Sequence, residues 1–274
     1  MTAAFVAFLA SIGAGGFGSL VGIGGGLIIV PLLSVLLGYD VKAAIAASLI
    51  GVIATSLSAS PRYIRSGLAD RRLGMLLLVA AALGGLAGGI TADHLDGRTL
   101  SLLFSQLLAG VALRMLWQIR HPAVPPVVAD DDPSGFVSSF VEPTTGEEVV
   151  YRAHRVLPGT LVSFVAGNVS GLLGVGGGVI NVPTLSVLMH VPIRVATTTS
   201  TYMLAATATA SAVVYLASGQ LDPMLAAPVA LGVIVGARLG ARLSMSLSQE
   251  VLRLAFVGVA AIFAFSMFME FLSL

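Results

Sequence analysis

One apolar, glycine-broken string occurs twice in this chain. VGIGGGLIIVPLLSVL, from Val21 to Leu36, returns as LGVGGGVINVPTLSVL, from Leu173 to Leu188, at an offset of 152 residues with 11 of 16 positions identical. The same offset, without a gap, pairs Ser48 with Ser200, Gly67 with Gly219, Asp70 with Asp222, Gly84 with Gly236 and Gly88 with Gly240. The chain is one unit duplicated, so its fold has to hold two copies of the same architecture.

Each copy carries five apolar segments. They run roughly over residues 2–18, 25–37, 41–61, 73–92 and 99–119, then 157–172, 177–189, 195–217, 223–246 and 251–272. Most are near the ~20 residues that cross a ~30 Å hydrocarbon core as helix. With 57% hydrophobic and 10% charged residues and a mean hydropathy of +0.99, against about 25% charged in soluble domains, the chain belongs in a lipid bilayer. The second segment of each copy is too short to span, so it is expected to pair with the first as a re-entrant hairpin entered through the glycines. The fold expected is an all-α polytopic membrane protein of two repeats, each a glycine-broken helical hairpin plus three transmembrane helices. Residues 1–119 form the first repeat, 120–155 a linker, and 156–274 the second repeat. The linker, with DDDP, SSF and EPTTGEE, has no sustained period; it reads as a connection with room for a short strand pair. The first segment has no Lys or Arg before it and no small-residue cleavage site, so it reads as part of the membrane domain rather than a signal peptide.

Lys and Arg are enriched in cytoplasmic loops. Arg62, Arg65, Arg71 and Arg72 place the loop after the third segment inside, and Arg120, Arg152 and Arg155 place the linker inside. The Gly219 to Asp222 loop, without a cation, is then outside, Arg242 and Arg253 are inside, and the C-terminus is outside. Equivalent loops fall on opposite sides, so the two repeats are expected to have inverted topology, an arrangement common in secondary transporters.

The residues able to carry chemistry cluster at the breaks. Gly22, Gly24, Gly25 and Gly26, with Gly174, Gly176, Gly177 and Gly178, interrupt apolar sequence, and Pro31 and Pro183 follow. Backbone N–H groups at the start of a half helix stay unpaired until a ligand takes them, and the helix dipole there favours an anion. Irregular backbone survives at membrane depth only when buried in protein or lining a wet cavity. The competing reading is close helix packing, which suits Gly84, Gly88, Gly236 and Gly240 better. Hydroxyls concentrate in the third segments, at Ser48, Thr55, Ser56, Ser58 and Ser60 and through Thr197 to Thr201, Thr207 and Thr209. They can donate to an oxyanion without a fixed charge, or simply bond back to their own helices. Ser48 and Ser200 stand out as repeat mates, and Asn181, where the first copy has Ile29, is a polar group inside a half helix.

Other chemistries find no residues to carry them. Cysteine is absent, the four histidines lie at segment ends or in loops without metal-ligand spacing, and no Lys-Ser or Lys-Thr pair follows the glycines as a phosphate loop requires. Ser170 and Ser200 have no mid-membrane His or Lys to activate them, which argues against an enzyme. No cofactor is expected. A net charge of +1 gives no attraction to nucleic acid.

GIGGGLIIVP and GVGGGVINVP, each followed by Ser or Thr-Ser in the third segment of its copy, resemble the TauE/SafE family of sulfite exporter-like transporters. The resemblance spans nearly the whole chain apart from the linker. It implies an inner-membrane carrier that moves sulfite, organosulfonates or other small sulfur-containing anions, often outward. By motif position it assigns Gly24, Gly25, Gly26, Pro31, Gly176, Gly177, Gly178 and Pro183 to the substrate site, with Ser48, Thr199 and Ser200 as hydroxyl contacts. The partners expected are a small anionic substrate and the bilayer; a coupling ion, H+ or Na+, and self-association stay open. An anion channel and a carrier for an unrelated small organic anion are the alternatives.

Overall fold

The protein is described by a computed structural model covering residues 2–21, 25–65, 67–120, 136–141, 147–243 and 249–273. Ten α-helices appear there: α1 (Thr2–Val21), α2 (Gly26–Pro31), α3 (Val41–Arg65), α4 (Arg71–His94), α5 (Gly97–Arg120), α6 (Val156–Leu173), α7 (Gly178–Pro183), α8 (Ile193–Ala217), α9 (Pro223–Leu243) and α10 (Gln249–Ser273). The chain is thus an all-α polytopic membrane protein. Seven helices, α3 to α6 and α8 to α10, are long and apolar enough to cross a membrane, while the apolar part of α1, Ala4–Gly18, is shorter. Large side chains such as Leu83, Leu113, Leu161, Leu231 and Phe265 are exposed on the outer surface, as lipid-facing residues are.

The short helices do not end where α-helix ends. Pro31 and Pro183 have no N–H to return to the carbonyl four residues back, so the α-ladder is interrupted there. The chain widens into π-helical turns at Leu32–Leu36 and Thr184–Leu188. Each pair forms one short, bent apolar helix, Gly26–Leu36 and Gly178–Leu188.

Packing exchanges the two halves. α1 lies against α9 and α6 against α4; α3 contacts α9 and α8 contacts α4; α3 packs on α8 and α5 on α10. Swapping each helix for its repeat mate leaves this set of pairs unchanged, which is a two-fold relation between the copies. The backbone repeats as well: Gly25 and Gly177 have φ of 67° and 73°, Gly67 and Gly219 70° and 72°, and Gly38 and His190 69° and 58°. Glycine sets the closest helix approaches. A Cβ on Gly84 or Gly88 would overlap the carbonyl of Phe164 or Asn168 on α6, and one on Gly236 would overlap the Ile12 carbonyl on α1. The packing reading of Gly84, Gly88 and Gly236 holds.

Part of the linker is folded. β1 (Phe136–Val141) and β2 (Glu148–Ala153) form an antiparallel hairpin. Phe140, Tyr151 and Ala153 are buried in an apolar cluster with Leu73 and Leu77 of α4, Leu185, Met189 and Val191 after α7, and Val195 of α8. The hairpin therefore docks on both halves, on α4 of the first copy and on the segment from α7 to α8 of the second. Tyr151 donates from its hydroxyl to Asp70 Oδ2 at 2.7 Å, while Asp70 Oδ1 accepts from Leu73 N at 3.1 Å and caps α4. Burial pushes the Tyr151 hydroxyl pKa up, so it remains a donor across the physiological range.

Candidate glycine-break site

In the second half, α6 ends on Gly174, in the left-handed region at φ 69°, its N–H bonded to the Ser170 carbonyl at 2.8 Å. Gly176 and Gly177 follow at φ 82° and 73°, and the Gly177 carbonyl accepts from Ile180 N and Asn181 N to start α7. In the first half Gly25 does the same for Ile28 N and Ile29 N, at 3.0 and 3.2 Å. Gly24, with Gly22, lies outside the described residues.

The second break passes over α3, where contacts leave no room for side chains. A Cβ on Gly174 would sit 2.9 Å from the Ile45 carbonyl, and one on Gly176 2.6 Å from Val52 Cγ1. The two breaks also meet each other. A Cβ on Gly26 would sit 2.6 Å from the Gly174 carbonyl oxygen, and the Ser48 hydroxyl bridges both chains, donating to Gly174 O at 2.9 Å with Gly26 O at 3.4 Å. Gly25, Gly26, Ser48, Gly176, Gly177 and Gly178 are all buried, so this juncture lies inside the protein. Pro31 is buried and Pro183 half-buried at the far ends of the half helices, where their contribution is the bend.

The remaining expected residues divide. Thr199 accepts from the Asp70 backbone N–H at 2.9 Å and Thr198 donates to the Leu68 carbonyl at 2.7 Å, so both engage the connection between α3 and α4. Thr55, Thr197, Thr201 and Thr209 bond back to carbonyls of their own helices. Ser56, one of several hydroxyls in its segment, has a more specific place: its hydroxyl donates to Thr201 O at 2.6 Å and accepts from Ala205 N at 3.0 Å, joining α3 to the middle of α8.

A third set is buried and unpaired. Asn181 and Ser200 are each 1% exposed, yet neither end of the Asn181 amide nor the Ser200 hydroxyl has a hydrogen-bond partner. Ser163 and Ser170 on α6, and Ser11 on α1, share that condition. Ser11 and Ser163 are repeat mates at the 152-residue offset, a signal the sequence held, while Ser170 replaces Gly18 of the first copy. Among the described residues no Lys or Arg is buried, so whatever this interior receives meets dipoles rather than a fixed cation. A separate cavity of about 270 Å³, lined by Asp70, Arg71, Arg72, Ser138, Phe140 and Tyr151, lies under the hairpin and contains none of the glycine-break residues.

Known proteins of the same kind are membrane transporters. The chain is 27% identical over 226 residues, 80% of each chain, to "Probable membrane transporter protein YunE" of Bacillus subtilis (strain 168). It is 24% identical over 208 residues, 73% of this chain and 67% of the other, to "Probable membrane transporter protein MJ0441" of Methanocaldococcus jannaschii. No solved structure is significantly similar to it. The family described as sulfite exporter TauE/SafE matches residues 7–267, across both glycine breaks and all ten helices. The chain belongs to the TauE/SafE family and is a multi-pass membrane transporter.

Proposed function

We propose that this protein is a secondary carrier of small sulfur-containing anions, sulfite or organosulfonates, exported by alternating access between two oppositely oriented repeats. The observation that carries the reading is the meeting of the two glycine breaks at Ser48, which stacks Gly26 on the Gly174 carbonyl inside the helix bundle. Interrupted helix at membrane depth is tolerated where it is buried in protein or lines a water-filled cavity, and paired breaks of this kind form the substrate site in many inverted-repeat transporters. The substrate occupies the juncture of Gly25, Gly26, Gly176, Gly177 and Gly178, with Ser48, Ser200 and Asn181 supplying side-chain hydrogen bonds. Parting the two breaks at Ser48 opens the juncture toward one side or the other.

The same reading orients the chain, with the hairpin and the basic α3 to α4 connection cytoplasmic and the C-terminus outside. It makes the protein a carrier rather than an enzyme, a reading supported by the transporter family it belongs to. The test is flux of sulfite and of simple sulfonates in liposomes containing the purified chain. Saturable, counter-anion-stimulated exchange supports the carrier. Passive flux with bilayer conductance identifies a channel, and no flux of any sulfur oxyanion overturns the proposal.

A further inference from the structure

The two copies differ where the interior is most polar. Ile29 of the first copy is fully buried in the apolar core, and its mate Asn181 is 1% exposed with neither amide atom bonded. Gly18 of the first copy is likewise replaced by Ser170, 0% exposed and unpaired. Folding of this unit does not require an amide, because Ile29 serves the equivalent position.

Contacts place these groups together. A Cβ on Gly159, early in α6, would touch the Met189 side chain, and one on Gly177 would lie 3.1 Å from Ala166 O and 3.5 Å from Ser170 Cβ. α6 and the short bent helix after it therefore run antiparallel, with Ser163 and Ser170 on the strip that faces it. Asn181, one turn after Gly177 and bonded to its carbonyl through the backbone N–H, falls at the level between them. Three unpaired polar side chains, each at least 99% buried, thus lie along the seam between α6 and α7 beside the second glycine break.

We propose that Asn181, flanked by Ser163 and Ser170, is the selectivity contact of the carrier, and that it favours singly charged oxyanions that bring a hydrogen-bond donor of their own. The inference rests on the carrier reading and narrows its substrate class. An amide presents two N–H donors and one carbonyl acceptor, and hydroxyls act either way. The N–H and O–H groups take the anionic oxygens; the amide oxygen is satisfied only by a ligand that donates. This holds whichever way the amide is turned, because both of its atoms are unpaired. With no buried Lys or Arg among the described residues, a dianion would enter uncompensated, and the desolvation cost of an ion rises with the square of its charge.

The experiment uses the full chain in liposomes and three probes: 2-hydroxyethanesulfonate, ethanesulfonate and sulfate. The first two are monoanions that differ by one hydroxyl. Wild-type protein is expected to move 2-hydroxyethanesulfonate about tenfold better than ethanesulfonate at limiting concentration, the ratio one added hydrogen bond supplies, and sulfate more slowly than either. Asn181→Ile, which installs the residue of the repeat mate, and the smaller Asn181→Ala are each expected to bring the hydroxyl preference to about one, with flux of both sulfonates lowered because the amide N–H donors go with the acceptor. Either variant retaining the wild-type ratio, or wild type moving sulfate as fast as the monoanions, overturns this inference and leaves the carrier reading standing. Wild type moving none of the three and no sulfite overturns both.

Discussion

The two glycine breaks share a backbone and differ in what surrounds it. Around the first, Ile29 is apolar and fully buried, Gly18 has no side chain, and Ser48 is bonded to Gly174 O. Around the second, Asn181, Ser170 and Ser200 are buried without partners. Yet Gly25 and Gly177 hold nearly the same left-handed φ, 67° and 73°. Duplication has kept the left-handed glycine conformations and has let the side chains diverge, so the surroundings of the first break are the more apolar and those of the second hold more unpaired hydrogen-bonding groups.

The largest effect is expected where the copies should behave alike. Gly84→Ala pushes a methyl group into the Phe164 carbonyl, and Gly236→Ala into that of Ile12. Each should destabilise the protein by about 3 kcal/mol by forcing two helices apart. Thermal unfolding in detergent measures this; a severe effect from only one mate would break the two-fold equivalence of α4 with α6 and α9 with α1.

Ser48 and Ser200 should separate sharply. Ser48→Ala strips the Gly174 carbonyl of its side-chain donor and should cost about 1–3 kcal/mol. Ser200→Ala removes a hydroxyl that is already unpaired and should leave stability unchanged or slightly raised. Equal losses in the same unfolding assay would erase the distinction between a bonded and an unpaired hydroxyl.

The linker hairpin has no repeat mate and docks on residues of both copies. Tyr151→Phe deletes its bond to Asp70 and should cost about 1 kcal/mol, read as faster protease cleavage near residues 136–153. Because burial raises the Tyr151 pKa, the neutral hydroxyl is favoured by folding. Its contribution is constant below the ordinary tyrosine pKa of about 10 and fades as pH rises beyond it. Undocking as the pH falls from about 9 to about 7 would contradict the assignment.

The smallest effect tests the repeat at a single dihedral. His190 occupies the left-handed region at φ 58°, where its mate is Gly38 at 69°. His190→Gly should relieve strain worth about 1 kcal/mol, part of it offset by the greater freedom of glycine when unfolded. A loss of stability would mean that the contact of the His190 ring with His154, centroids 5.8 Å apart, outweighs the strain.

Much of this was legible in the residues. The 152-residue offset, the ten segments with ends within a few residues of those observed, the short half helices and the packing glycines follow from periodicity, length and glycine placement, all local properties. The widening into π-helical turns at Leu32 and Thr184 had a signal in Pro31 and Pro183. Other features had none. Thr199 belongs to a conspicuous hydroxyl run, but its bond to the Asp70 backbone depends on where the α3 to α4 connection folds back. Ser170 looks like an ordinary small residue of an apolar helix until its burial beside α7 is known.

The sequence by itself determined that this is a duplicated membrane unit whose helices are broken twice by glycine, because hydrophobic length and backbone freedom are written residue by residue. Only the tertiary structure decided that α1 packs on α9 and α6 on α4, that Ser48 ties the breaks together, and that the hairpin docks across α4 and the start of α8. Helices of similar hydrophobicity have no preference in lipid until close backbone approach and paired polar groups select their neighbours.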